Sequence, residues 1–297
     1  MKRKLIITIA LLCVTLFVPL ALFGQDFEMR GTVLIKYRGN AAIVNIPEGV
    51  TAIGNGAFYE LENITGVTIP AGVNSIGKGA FYYCTSLTSV TMPDSVTSIG
   101  YEAFYMCHVL AGVTIPTSVI SIGDRAFWGC KSLTSIAIPA GVTSIGNSVF
   151  SGCNGLTSVT IPSSVTSIGT SAFNGCVRLV SITLPASVTS IGTSAFYDCE
   201  SLASINIPAN VTFIGHGAFN GCKSLTSITI PANVTAIGNE AFWGCNGLTS
   251  VIIPASVTAI GNYAFFGCSN LRTITVSRMT TIGTDAFPSV ARITYSD

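Results

Sequence analysis

Leu156-Thr157-Ser158-Val159-Thr160-Ile161-Pro162-Ser163-Ser164-Val165-Thr166-Ser167-Ile168-Gly169-Thr170-Ser171-Ala172-Phe173-Asn174-Gly175-Cys176 decides how this chain folds. Val159 and Ile161 alternate with Ser158 and Thr160, the period of a half-buried strand. Pro162 has no N–H with which to continue a ladder and ends the strand. Val165 and Ile168 point inward across a second short extended segment, and Gly169 turns the chain. Ala172, Phe173 and Cys176 fit a single helical turn that plugs the interior.

The same unit recurs through most of the 297 residues. Proline stands at 47, 70, 93, 116, 139, 162, 185, 208, 231 and 254, each 23 residues after the last. Glycine keeps that step from Gly54 to Gly261 and phenylalanine from Phe58 to Phe265, and an eleventh copy, Ile282 to Phe287, arrives one residue early. No unit can bury its apolar positions alone, but stacked units bury them as continuous ladders. The expected architecture is therefore a mainly β repeat solenoid of 23-residue units with parallel strands and short helical turns. Stacking at about 4.8 Å per coil makes it a rod or arc on the order of 50 Å long.

The boundaries follow from departures from the repeat. Residues 1–24 join a basic start, Met1-Lys2-Arg3-Lys4, to an apolar run ending at Gly24, the pattern of a cleaved signal peptide. A retained membrane anchor is the rival reading, since that run could just span a bilayer. Residues 25–42 carry Asp26, Glu28, Arg30, Lys36 and Arg38 and are expected to cap the open end. The solenoid runs over 43–276, and 277–297 hold the last partial repeat and a C-terminal cap.

Apolar residues make up 49% of the chain and charged ones only 9%, so serine and threonine must supply the wetted surface. Removing Lys2, Arg3 and Lys4 from the 14 basic residues leaves 11 against 13 acidic ones, a net of −2. No basic cluster exists, which excludes a nucleic-acid partner. No apolar segment after residue 24 is long enough for a membrane span.

The strand piece Leu156-x-x-Val159-x-Ile161 matches the L-x-x-L-x-L core of leucine-rich repeats. The longer string I-P-x-x-V-T-x-I-G-x-x-A-F-x-x-C-x-x-L is complete in Ile230 to Leu248 and recurs, with Ile120 for the threonine, in Ile115 to Leu133. It resembles the BspA-like leucine-rich repeat family of bacterial surface proteins, over roughly residues 43 to 287. That resemblance implies a leucine-rich repeat solenoid, export, and adhesion to host matrix proteins or other cells. One departure concerns the asparagine or cysteine ladder of such repeats, whose column here holds Gly, Ser or Asn, as at Ser164.

Chemistry-bearing residues are scattered. Nine cysteines from Cys84 to Cys268 fill one column. Their odd number, their spacing and Leu61 in the same column mark them as buried free thiols acting as small hydrophobes rather than disulfides. His108 and His216 read as turn residues, and no pair of carboxylates is placed for acid–base work. No catalytic, cofactor or metal site is expected, and the chain is read as a non-enzyme.

Two surface features remain. One row of outward strand positions holds Ser135, Ser158, Ser181, Ser204, Ser227 and Ser250, and the next holds Thr91, Thr114, Thr160, Thr183 and Thr229. The column after the buried phenylalanine begins Tyr59, Tyr82, Tyr105 and Trp128, which either packs coil on coil or binds a partner. The expected function is that of an exported protein, at the cell surface, secreted or periplasmic, that binds a protein or glycan ligand such as host extracellular matrix. The alternative is a structural cell-envelope protein without a specific ligand. These four aromatics are the candidate partner-binding residues.

Overall fold

The computed structural model describes residues 24–296; the expected leader cut lies at its very start, and residues 1–23 fall outside the described residues. The repeat folds as a parallel β-solenoid of about eleven turns. Coils are numbered here by their phenylalanine, from Phe58 in coil 1 through Phe127 in coil 4 and Phe150 in coil 5. The coils contribute to two strand columns, the first lacking a strand in the coil that holds Ser227. The first runs through Ile43–Asn45, Gly66–Thr68, Ser89–Thr91 and onward to Arg292–Ser296. The second runs from Ala52–Ile53 to Thr281–Ile282. Register is set by the repeat, since Ser135, Ile136 and Ala137 lie against Ser158, Val159 and Thr160. Before coil 1, β1 (Phe27–Arg30) and β2 (Val33–Tyr37) form an antiparallel hairpin, and β2 pairs with Ala52–Ile53. Tyr37 stacks on Phe58 at 5.5 Å.

The core follows the apolar columns of the sequence. The ten phenylalanines from Phe58 to Phe265 are fully buried and stack ring on ring, 4.9 Å apart at Phe58–Phe81 and 5.7 Å at Phe127–Phe150. The Ser135 and Thr160 rows face outward and are exposed. Four features go beyond this pattern or against it.

The expected helical turn at Ala172, Phe173 and Cys176 is absent, because left-handed residues interrupt it. Ser171 has φ 54 and Gly175 φ 71. The backbone instead runs as linked turns in which alternate N–H groups serve different partners. Ala172, Asn174 and Cys176 donate within the coil, to Gly169, Ser171 and Phe173. Ser171, Phe173 and Gly175 donate upward to Thr193, Ala195 and Tyr197 of the next coil. A helix would spend all of these donors locally; here half of them bind coil to coil.

Gly169 serves close approach rather than the turn. A Cβ there would lie 2.7 Å from the Gly146 carbonyl carbon, and the same contact of Gly192 on Gly169 is also 2.7 Å.

Side chains take up further carbonyls. Each repeat thiol donates to the phenylalanine carbonyl of the coil before, as Cys84 does to Phe58 at 3.0 Å and Cys176 to Phe150 at 3.2 Å. Leu61 holds the cysteine column in coil 1, where no earlier repeat phenylalanine exists. The Ser164 column does the work of the asparagine ladder by other means. Ser164 donates to Val142 at 2.7 Å, and Asn210 to Ala186 at 3.0 Å.

The first strand column is interrupted at several levels, but only between coils 4 and 5 do both columns break together. The sheets end at Gly112–Val113 and Ser121–Ile122 and restart at Ser135–Ala137 and Ser144–Ile145. Val149 replaces the alanine of that column and is buried, which puts two extra methyl groups into the core there. Ile120 replaces a threonine whose hydroxyl ties coils together elsewhere, as Thr97 does to Asn74 at 3.0 Å. The turn edge stays bonded across the break, with Phe127 donating to Val149 at 3.0 Å.

Candidate functional site

The turn edge positions the candidate residues. In coil 2 the order is Gly79 (φ 56), Ala80, Phe81, Tyr82 and Tyr83 (φ 59). Two left-handed residues flank three others, so Ala80 and Phe81 face the core and Tyr82 faces out. Repeating this in each coil brings all four sequence-derived residues together. Tyr59 and Tyr82 stack at 4.9 Å and 6°, Tyr82 and Tyr105 at 4.7 Å and 2°, and Tyr105 and Trp128 at 4.7 Å and 8°. Tyr59 is 49% exposed and the other three are half-buried under one another. Packing and exposure thus coexist: ring faces meet ring faces, and ring edges meet solvent. Burial holds the Tyr59, Tyr82 and Tyr105 phenols above their ordinary range, with Glu60 adding to the effect at Tyr59, so they stand as neutral hydrogen-bond donors.

The ladder stops at the coil 4–5 break, where Ser151 is buried in the next place. Aromatics return near the other end without a ladder, for Trp243 meets Phe266 edge-on at 5.3 Å and 71°.

The columns beside the ladder were not singled out from sequence. Residue 60 and its equivalents are left-handed in coils 1 to 10, with glycine at 129, 152, 175, 221, 244 and 267 and Asp198 (φ 53) in coil 7. Coils 1 to 3 instead put Glu60 (φ 57), Tyr83 (φ 59) and Met106 (φ 59) there. A bulky side chain in this conformation costs about 1–3 kcal/mol. Three such residues side by side, next to the ladder, indicate side chains kept for what they contact. The signal was visible in sequence as glycine missing from a glycine column. Tyr83 lies 5.7 Å from the Tyr82 ring and 6.3 Å from His108.

On the other flank, Arg125 contacts Glu102 at 3.2 Å and donates to the Tyr101 hydroxyl at 3.0 Å. Lys78 sits 5.1 Å from the centre of the Tyr101 ring. Asn55, Lys78, Glu102, Tyr59 and Tyr82 line a shallow groove of about 390 Å³ along this side. The edge is therefore aromatic in the middle and mixed in charge at its margins, the make-up of a protein interface.

Nothing comparable gathers around the remaining reactive groups. Both histidines lie in turns, and His216 Nδ1 accepts the Asn239 N–H at 2.9 Å. Burial raises the Cys84 and Cys153 thiols to about 12, which suits neutral S–H donors and not nucleophiles. Among the described residues no group of His, Cys, Asp and Glu is placed to hold a metal, and no helix is long and apolar enough to cross a membrane.

Parallel coils, an inward phenylalanine ladder and a side-chain-capped turn edge define a leucine-rich repeat solenoid. The model of the BspA type leucine rich repeat region (6 copies) matches residues 36–154, 74–203, 120–247 and 189–296, and the chain belongs to that family. A leucine rich cell surface protein from Faecalibacterium prausnitzii is similar at 31% identity and TM-score 0.60, over 91% of this chain and 93% of that one. A leucine-rich repeat protein from Eubacterium ventriosum shares 26% identity at TM-score 0.56, over 89% and 90%. The pneumococcal vaccine antigen PcpA, 17% identical with TM-score 0.59 over 91% and 85%, shares the fold alone. No curated protein matches the sequence. Leucine-rich repeat proteins of this family are generally protein-binding or surface repeat proteins, typically non-enzymatic scaffolds.

Proposed function

We propose that this protein is exported and displayed outside the cell, where it binds a protein partner, such as a host matrix protein, through the turn edge of coils 1 to 4. The observation that carries the reading is the unbroken ladder Tyr59, Tyr82, Tyr105 and Trp128, flanked by strained Tyr83 and Met106. Tyrosine and tryptophan dominate binding hot spots because they bury large area at small entropic cost. Glycan is the weaker ligand class, since sugars stack on ring faces and the inner faces here are covered. Export is supported by the leader pattern of residues 1–24 and by the cell-surface description of the F. prausnitzii relative. The hairpin over coil 1 fits the end-capping role read for residues 25–42. A structural envelope role without a ligand is favoured by the uniform exposed hydroxyl rows.

Adhesion to immobilised host matrix proteins tests the proposal. Tyr82→Ala with Tyr105→Ala is expected to weaken binding at least tenfold, about 1.4 kcal/mol, in a chain that stays folded on its intact phenylalanine core although it loses three ring stacks. Undiminished binding by the folded double variant would remove the edge from the account.

A further inference from the structure

Resting on the reading of this edge as a binding surface, we propose that it also joins two copies of the chain, coil 1 against coil 4, in an antiparallel two-fold dimer. The rungs of the ladder repeat every 4.7–4.9 Å. A partner meets all four rungs alike only if it repeats at the same interval, and a second copy does so by construction.

The distribution of side chains along the edge then selects the orientation. A two-fold axis parallel to the coil direction, lying between coils 2 and 3, keeps every column facing itself and reverses the coil order. Tyr59 then meets the partner's Trp128, and Tyr82 meets the partner's Tyr105. In the adjoining column Tyr83 faces the partner's Met106, a sulfur–aromatic pairing. Glu60 stands opposite the partner's Gly129, which bears no side chain to oppose it.

Charge gives the independent support. Residues 62, 85, 108, 131, 154, 177, 200 and 223 share one column. Where opposite charges stand on adjacent coils of that column they pair within the chain, as Lys223 does with Glu200 at 2.8 Å. Glu62 and Lys131 are both exposed and stand three coils apart, about 14 Å by strand spacing, too far to meet. Neither belongs to an ion pair among the described residues, which are Arg38–Glu28, Arg125–Glu102 and Lys223–Glu200. The two-fold brings each Glu62 opposite the partner's Lys131, twice per dimer. A parallel arrangement keeps the coil order and leaves Glu62 three coils away from the partner's Lys131.

The contact is small. Four coils span about 15 Å, so two copies bury on the order of 1,000 Å², the lower bound of specific interfaces. The dimer should therefore form in the micromolar range and exchange readily.

Sedimentation velocity over about 1–200 µM, the range such a contact calls for, reads the outcome. The parent chain is expected to pass from monomer to dimer. Lys131→Glu and Glu62→Lys should each raise the dissociation constant at least tenfold, and the double reversal Glu62→Lys with Lys131→Glu should restore dimerisation. Both residues are exposed, so the fold is not at stake. A parent that stays monomeric throughout, or a double reversal that fails to recover, overturns the proposal. If the parent is monomeric yet Tyr82→Ala with Tyr105→Ala still abolishes matrix adhesion, the binding edge stands and only self-association falls.

Discussion

Above about pH 9 the folded protein is expected to lose stability steeply, while between pH 6 and 8 it should change little. The cause is the thiol column. Burial pushes Cys84 and Cys153 up to about 12 and raises Cys107, Cys130, Cys176, Cys199, Cys222 and Cys245 as well. An unfolded thiol titrates near 8.5. Below that value the thiols are neutral in both states, so their contribution is fully present. Between about 8.5 and 12 the unfolded chain releases protons that the folded chain keeps, and each thiol costs about 1.4 kcal/mol per pH unit. Repetition multiplies the slope, because eight successive coils, from Cys84 to Cys245, carry one. Ionisation would also turn each S–H donor into an anion against the phenylalanine carbonyl it now satisfies. Urea unfolding at pH 7.5, 9 and 10 under reducing conditions measures the effect. A thiol reagent should find these cysteines only after denaturation. Stability unchanged at pH 10, or rapid labelling of the native protein, would contradict the buried-donor arrangement.

Phe173→Ala is expected to cost about 3–5 kcal/mol, the range for deleting a fully buried aromatic ring. Phe173 is 0% exposed and stacks between Phe150 at 5.6 Å and Phe196 at 5.4 Å. Coils on either side hold their own positions through backbone bonds, so the gap cannot close by collapse. The Phe173 N–H donates to Ala195 at 2.8 Å and fixes the spacing. Urea midpoints of the parent and variant chains give the number. A loss below about 1 kcal/mol, typical of surface sites, would mean that the ring does not fill the core. In a solenoid the damage should centre on coils 5 to 7, since each unit touches only its neighbours.

Most of this architecture was legible in one unit. Alternation at Val159 and Ile161, proline at 162 and a fixed 23-residue step give parallel coils, inward columns and hydroxyl rows, and the structure has them. The turn after Gly169 was not legible as drawn. Ala-Phe-x-x-Cys reads like one helical turn, but the glycines at 129, 152, 175 and 221 required left-handed backbone there. Periodicity gave the location of the thiols; it could not reveal their bonds, because S–H donation depends on the carbonyl of another coil. The four aromatics were found from sequence as a column, and the structure adds that they stack face to face. Strained Tyr83 and Met106 stand out only against the glycine column they occupy, because residue type alone does not reveal a left-handed backbone.

The account turns on which face of the solenoid meets a partner. One paired binding measurement addresses it directly, with the aromatic edge altered in one variant and the hydroxyl face in another. Ser158→Lys places a long charged chain on the exposed serine row, and Tyr105→Ala opens the middle of the ladder. With matrix protein on a biosensor surface, Tyr105→Ala should lose at least fivefold in affinity, about 1 kcal/mol, and Ser158→Lys should bind like the parent. Loss of binding in Ser158→Lys with Tyr105→Ala unaffected would contradict the account and move the site to the hydroxyl face.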